Sequence, residues 1–460
     1  MPPLGLAYIA SYLRKYNSFN DTIIIDKVPN KLKAILQARP SIVGISSVTD
    51  GMKDAIKLAK EIKETFGDVP IILGGHHIGL APDNLPEPFD IGVIGEGEET
   101  MSELLRMYQM TDNGTFYNLK DIKGISYREN GKVIVNERRP LIKDIDTIPY
   151  PARDLFDMEG YYLKPRKTFS SIVLGRGTQM LTSRGCFFSC CFCSSALFWR
   201  RKTRMHSAKY VIGEIKELVE KYKVEGLYIV DDLFAFNTER LTEIADEIVK
   251  SGIKLNLKIA TRVSSITPEN VKQFKRMGIQ TACVGYESGS QKTLDYLKKG
   301  TQKVSDGVIA AKLLNDNGIS NHGYFMFGAP GETREDMMET IQFIKDNNIT
   351  SFNICAVTPY PGTELWEYAK SKGLVSDDMD FSKLNLHPTD KNFILVNDQM
   401  SREEFLEMND MFLKLGESKM NAIDFKFSQL LSINMMKRAI KQPKKAIKLL
   451  YYSTKRKVFK

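Results

Sequence analysis

Residues 182–195 read TSRGCFFSCCFCSS, placing Cys186, Cys190 and Cys193 in the spacing CxxxCxxC. The run follows a segment expected as a strand over 178–183, so a short loop can wrap three thiols around one metal cluster. Soft thiolates suit iron-sulfur clusters, and three of them leave one iron of a 4Fe-4S cubane open. A structural zinc site would need four N or S ligands, completed by Cys191 or His206, and adjacent Cys190 and Cys191 chelate poorly. Cys190 and Cys193 alone form CxxC, elsewhere a redox dithiol, but that motif normally opens a helix in a much smaller fold. Four of the six cysteines fall within eight residues while Cys283 and Cys355 stand apart. Such clustering favours a metal over disulfide staples.

Downstream of the cysteines, apolar runs alternate with helical periods. Strands are expected near 178–183, 226–231, 255–260, 281–287, 322–327 and 352–357, with helices between. Six such units predict a partial (β/α)6 barrel over 171–365. Beyond it, 366–460 is expected to be a helical C-terminal cap, with a loop-like stretch, DDMDFSKLNLHPTDKN at 377–392, and helices from about 401.

Upstream, residues 1–120 alternate in the same way: helix 5–16, strand 22–26, helix 29–37, strand 42–46, helix 51–65, strand 70–74, strand 91–94, helix 98–108. The pattern predicts an α/β, doubly wound parallel sheet of the flavodoxin or Rossmann kind, whose ligands sit at strand carboxyl ends. Between the domains, 121–170 holds a hairpin, ISYRENGKVIVNE at 125–137, whose Asn130-Gly131 suits a tight two-residue turn, and a Pro-containing linker, IPYPARDLF.

CxxxCxxC after an SRG turn, with Phe192 before the third cysteine, resembles the signature of the radical S-adenosylmethionine (SAM) superfamily. The likeness extends over 175–365. VDDLFAFN at 230–237 resembles the stretch after the second barrel strand, which implies that Asp231 and Asp232 lie near the SAM amino group; a helix N-cap and first turn is the plainer reading. VGYESGS at 284–290 is similar to the fourth-strand motif, implying that Glu287 and Ser288 reach the SAM ribose. Arg262 after the third strand would meet the SAM carboxylate. GYFMFGAPGE at 323–332 and TPYPGTELWEYA at 358–369 resemble the fifth-strand motif and the end of the barrel. By this resemblance, Cys186, Cys190 and Cys193 hold a 4Fe-4S cluster and Phe192 adjoins SAM. The chemistry implied is reductive SAM cleavage to a 5′-deoxyadenosyl radical.

PPLGLAYIASYL at 2–13, VGISSVT, ILGGHHIGLAP and VIGEGEET resemble the cobalamin (B12)-binding domain that precedes the barrel in one subgroup of that superfamily, which includes C-methylases and an anaerobic porphyrin-ring cyclase. Candidate cobalamin contacts are Ser46, Thr49, Gly74, Gly75, His76, Gly95, Glu96 and Gly97, each following an apolar strand where small residues let backbone amides approach a bulky cofactor. GEGEE also suits a helix start, with Glu98 and Glu99 favourable to the dipole. Two departures stand out. The family's first strand, an apolar run ahead of PPLGLAYIA, has no counterpart in the sequence, and the DxHxxG motif that supplies a lower histidine ligand to cobalt is missing. No histidine ligand from this domain is expected.

The implied function is cobalamin-dependent methyl transfer to an unreactive carbon; ring cyclisation or oxidation with the same parts is the alternative. A non-catalytic cobalamin- or cluster-binding sensor is the rival from another class. The net charge of +9 is local: residues 437–460 hold ten Lys or Arg and no Asp or Glu, leaving the rest near neutral. That tail is a solvated end or a peripheral contact with an anionic membrane surface, and nucleic acid is not expected as a partner. The 42% apolar fraction, without a run of membrane-spanning length or a signal peptide, fits a cytoplasmic chain. The expected partners are a small-molecule or lipid-like substrate and an electron donor such as flavodoxin or ferredoxin.

Overall fold

Three short apolar runs, β1 (Val43–Ser46), β2 (Ile71–Gly74) and β3 (Ile91–Val93), lie side by side in parallel. Alternate side chains of β2 enter two different cores. Ile71 and Leu73 pack with Met52, Ala55 and Ile62 of the helix Met52–Phe66, while Ile72 joins Ile91, Val93 and Leu104 on the other face. A strand buried on both faces has no polar positions to spare, which is why β2 and β3 are apolar throughout, whereas β1, at the edge of the sheet, exposes Gly44 and Ser46. The computed structural model describes residues 2–111, 116–163, 175–388 and 392–419.

The hairpin β4 (Ile125–Glu129) and β5 (Lys132–Val135) does not stand apart as a linker element. It adds to β3 antiparallel and completes a five-stranded sheet in the order β1-β2-β3-β4-β5. Its turn has positive φ at both Asn130 and Gly131, the geometry that matches the strands' right-handed twist. The strand expected at 22–26 is not formed. Among the described residues β1 has a partner only on its β2 side, and the segment at 22–26 does not take up its other edge. The segment lies along the fold instead, with Ile25 against the core beside β1 and Ile23 63% exposed.

In the second half, β6 (Gly177–Met180) is followed by a two-stranded antiparallel ladder, β7 (Ser183–Arg184) with β8 (Arg204–Met205), that closes the base of the cysteine loop. Then come β9 (Gly226–Ile229), β10 (Asn256–Arg262), β11 (Ile279–Glu287), β12 (Ser320–Phe327) and β13 (Ser351–Ala356). All six long strands are parallel, in the order β13-β12-β11-β10-β9-β6. The crossover helices are locally encoded. In Pro268–Met277, for example, Thr267 caps the Asn270 N–H, Pro268 opens the first turn and Gly278 (φ 82°) ends it.

The helix side of this sheet is a continuous core that includes Leu227, Ile229, Leu257, Ile259, Ala282, Val284, Phe325 and Phe327. Strand alternation therefore turns Tyr228, Lys258, Cys283, His322 and Tyr324 to the opposite face, the barrel lumen. Residues 402–419 are helical and lay Phe405 and Phe412 on Phe327, with ring centroids 4.7 and 5.4 Å apart. The basic tail, 437–460, lies outside the described residues, and among the described residues no helix is long and apolar enough to cross a membrane.

Candidate functional site

The cysteine loop leaves the barrel at the carboxyl end of β6 and is fixed there by two aspartates. Asp231 accepts from the Thr182 N–H, the Thr182 hydroxyl and the Ser183 hydroxyl, each at 2.6 Å, and Asp232 accepts from the Gly185 N–H at 3.1 Å. Gly185 has φ 91°, and a Cβ there would lie 2.2 Å from the Lys202 carbonyl oxygen. Only glycine makes this turn at no steric cost.

Beyond the turn the four cysteines separate into two kinds. Cys191 is buried with Leu297, Val357, Leu365 and Trp366, and its backbone is clamped between the Leu297 carbonyl and the Leu365 N–H. Cys186, Cys190 and Cys193 remain partly exposed, and all three are free thiols. Burial raises the Cys186 thiol and pushes Cys193 up to about 11, although backbone N–H groups of Phe188, and of Ser195 and Ala196, respectively, pull the other way. Thiols held this way become thiolates through a bound cation, and N–H groups aimed at sulfur are the dressing that iron-sulfur ligands carry. Among the described residues no three His, Cys, Asp or Glu side chains converge on a single ion. In a cubane each thiolate binds a different iron, so convergence on one point is not required. The donor set therefore fits a cluster.

The other SAM candidates divide. Arg262, at the end of β10, has Nη1 3.6 Å from Cys190 Sγ, lies 3.6 Å over the Phe188 ring and donates to Thr301. Asp232 is exposed, and its charge is felt at Cys186, Cys193 and His76. Phe192 packs beside the Cys191 cluster, 6.0 Å from the Lys298 ammonium. Glu287 holds φ 67°, a strained state for a residue with a Cβ, and pairs with Lys298 at 2.7 Å. Asp231 and Ser288 are placed differently. Asp231 is buried and raised in pKa by that burial, with its oxygens taken by the loop; Ser288 is turned into the helix Arg334–Asp346, 3.0 Å from the Thr340 hydroxyl. Both position the backbone of the site from behind.

At the amino-terminal sheet, Ser46, Thr49, Gly74, Gly75, His76, Gly95, Glu96 and Gly97 all lie at or just beyond the carboxyl ends of β1, β2 and β3. Ser46 is exposed, and nothing stands within 4 Å of where a Cβ would be at Gly74 or Gly95. That open ledge fits a bulky flat cofactor. Gly75 (φ 101°) has no such room: a Cβ would fall 2.4 Å from the Ser47 carbonyl oxygen. Gly97 gives way to Ile9. Thr49 faces inward, its hydroxyl 3.4 Å from His77 Nδ1, and burial lowers His77 to about 4.

Glu96 points away from the ledge. Its oxygens meet Arg184 at 2.8 Å and Arg204 at 2.7 Å and accept from the Ile142 N–H, while Glu98 takes the second Arg184 nitrogen at 2.6 Å. This network is buried between the two sheets and joins the ledge to the base of the cysteine loop. His76 stacks on Phe198, of the helix Ser194–Phe198, with centroids 4.4 Å apart. Arg184, Arg204, Phe188, Phe198, Lys298 and Thr301 were not singled out from the sequence. Arg184 stands in the SRG turn, but nothing in the sequence names its partners. A groove of about 1050 Å³ opens at the opposite, amino-terminal ends of the barrel strands, lined by Asn256, Ile279, Ser320 and Thr350, and no candidate residue lines it.

The comparisons with known proteins agree with this geometry. Residues 180–344 match the model of the radical SAM superfamily and residues 1–105 that of the B12 binding domain. An uncharacterized methyltransferase of Pyrococcus horikoshii is 36% identical over 385 residues, covering 81% of this chain and 80% of that protein. The anaerobic magnesium-protoporphyrin IX monomethyl ester cyclase of Rubrivivax gelatinosus is 30% identical over 419 residues, covering 88% and 72%. In fold, a radical SAM methyltransferase from Kitasatospora setae, solved with tryptophan substrate and a SAM analogue, superposes with a TM-score of 0.65 at 17% identity, covering 82% of this chain and 74% of that one. The chain belongs to the radical SAM superfamily, in the group whose barrel follows a B12-binding domain.

Proposed function

We propose that this enzyme transfers a methyl group to an unreactive carbon, using Cys186, Cys190 and Cys193 to hold a 4Fe-4S cluster and the ledge at Ser46, Gly74, Gly75 and Gly95 to hold cobalamin. The observation that carries the reading is the meeting of the two loops: His76, from the ledge, stacks on the helix that begins directly after Cys193. When bound, the cluster supplies the electron that cleaves SAM and cobalamin carries the methyl group.

The chain's own part is binding and orientation. Arg262, fixed over Phe188 and by Thr301, presents a guanidinium beside Cys190 to a carboxylate. Asp232 offers a carboxylate to an ammonium on the other side of the loop. Open space where a Cβ would stand at Gly74 and Gly95 lets a flat ring approach the ledge backbone closely. The lumen supports a small molecule with hydrogen-bonding groups over a wholly apolar chain as substrate: Tyr228 and Tyr324 touch through their hydroxyls at 3.3 Å, and Lys258 lies 4.7 Å from the Tyr228 ring. An electron donor of the flavodoxin or ferredoxin class completes the reading.

Ring cyclisation is the second reading, favoured by the similarity to the cyclase. Product analysis separates them. Methyl transfer yields S-adenosylhomocysteine along with 5′-deoxyadenosine, one of each per product, and cyclisation yields 5′-deoxyadenosine alone. Turnover without S-adenosylhomocysteine overturns the methyl-transfer reading.

A further inference from the structure

The cysteine loop is gripped at both ends, and both grips come from the loops of the amino-terminal sheet. Before the first cysteine, Arg184 is held by Glu96 and Glu98, and across the β7–β8 ladder its register partner Arg204 is held by the other oxygen of Glu96. After the last cysteine, Phe198 packs on two residues of the short helix His76–Leu80, the His76 ring and Gly79. A Cβ on Gly79 would fall 2.5 Å from Phe198 Cε2, and apart from that ring its nearest neighbour is the Gly95 nitrogen at 3.6 Å. Gly79 sits in the short helix His76–Leu80 without a positive φ, so the ring explains its lack of a side chain. Arg138 adds a bond to the Gly79 carbonyl oxygen at 3.2 Å, and Arg200, two residues past Phe198, bonds the Arg139 carbonyl oxygen at 2.6 Å.

We infer that Phe198 is a positioning residue that couples the two cofactor sites, so that cobalamin on the ledge and the cluster in the cysteine loop stabilise one another. This inference rests on the proposed function. Its physical basis is that Phe198 and His76 cannot move independently: a ring stacked on His76 and filling the space a Gly79 side chain would take transmits a displacement of either loop. Ordering one loop lowers the entropy cost of ordering the other, and the effect is reciprocal. The charged grip at Arg184 fixes the loop's base, and the aromatic grip at Phe198 lies beside His76, on the ledge itself.

The test is the rate at which an iron chelator strips the cluster from the reconstituted full-length enzyme, followed by absorbance, with and without saturating hydroxocobalamin. In the wild type cobalamin should slow cluster loss about tenfold, equivalent to about 1.4 kcal/mol in the barrier to loss. Phe198→Ala should retain both groups but show less than a twofold effect. Gly79→Ala, whose methyl group would collide with the ring, should also lose most of the coupling, and the double variant should lose no more than either single one. Circular dichroism and gel filtration establish that each variant is folded. Equal rates with and without cobalamin in the wild type, or a tenfold effect preserved in both folded single variants, would overturn the inference while leaving the proposed function standing. A wild type that holds no cluster or no cobalamin would overturn the function itself, and the coupling with it.

Discussion

Arg184 Nη1 meets Glu96 Oε1 at 2.8 Å across 88 positions of sequence, and the side chains of both are almost fully buried. One residue lies two positions before the first cysteine of the cluster loop and the other in the turn just beyond the third parallel strand of the amino-terminal sheet. The pair, with Glu98 and Arg204, is the charged joint between the two halves of the molecule.

Removing Arg184 leaves two buried carboxylates with only Arg204 between them. Arg184→Met is expected to cost about 3–5 kcal/mol of stability, the usual penalty for an orphaned buried charge. Urea unfolding of the cluster-free chain measures it; a loss below 1 kcal/mol would show that the joint is not buried in solution.

Arg262→Met should leave the cluster's absorbance and iron content intact and weaken SAM binding about tenfold or more, the scale of one charged hydrogen bond. Equilibrium dialysis with SAM checks it. Unchanged affinity would remove Arg262 from the candidate contacts.

Gly75→Ala should abolish retention of hydroxocobalamin through gel filtration while the far-ultraviolet circular dichroism stays native. The methyl group would collide with the Ser47 carbonyl, and φ of 101° is unfavourable for any L side chain. A variant that retains cobalamin as the wild type does would move the cofactor off this loop.

Glu332 gives a pH signature. Burial pushes its carboxyl up to about 7 from 4.5, against the Gly328 and Ala329 N–H groups that pull it down. Between pH 4.5 and 7 the folded chain keeps a proton here that the unfolded chain has released, so this group's contribution to stability falls as pH rises through that window. The fall is about 3 kcal/mol, from 1.36 kcal/mol per pKa unit. Glu332→Gln cannot titrate. Its stability relative to the wild type should therefore climb by that amount from pH 4.5 to 7 in parallel denaturant titrations, and a constant difference would contradict the assignment.

The sequence made the cluster loop and the parallel architecture legible because both are local. CxxxCxxC is a spacing, and doubly buried strands such as IILG must be apolar. The strand expected at 22–26 shows that propensity alone does not make a strand, since TIIID has every strand propensity but exchanges no ladder hydrogen bonds with the described residues. Asp231 and Asp232 are equivalent in sequence, yet one is spent on Thr182 and Ser183 and the other faces the site. Adjacent positions on a chain leaving a strand point opposite ways, and only the packed loop decides which way. Glu96 was expected on the ledge because it lies in a Gly-rich turn. Its arginine partners are 88 and 108 positions away, a separation that no local pattern announces. Phe198 was missed for the same reason.

The most direct test of the account is anaerobic reconstitution with iron and sulfide, followed by dithionite reduction in the presence of SAM, for the wild type, Cys186→Ala and Cys191→Ala. The wild type should bind about four irons per chain and form 5′-deoxyadenosine. Cys186→Ala should lose that product, and Cys191→Ala, whose thiol is packed among Leu297 and Trp366, should keep it. Product formation surviving in Cys186→Ala, or an intact wild-type cluster that leaves SAM uncleaved, would contradict the assignment of these three cysteines to radical SAM chemistry.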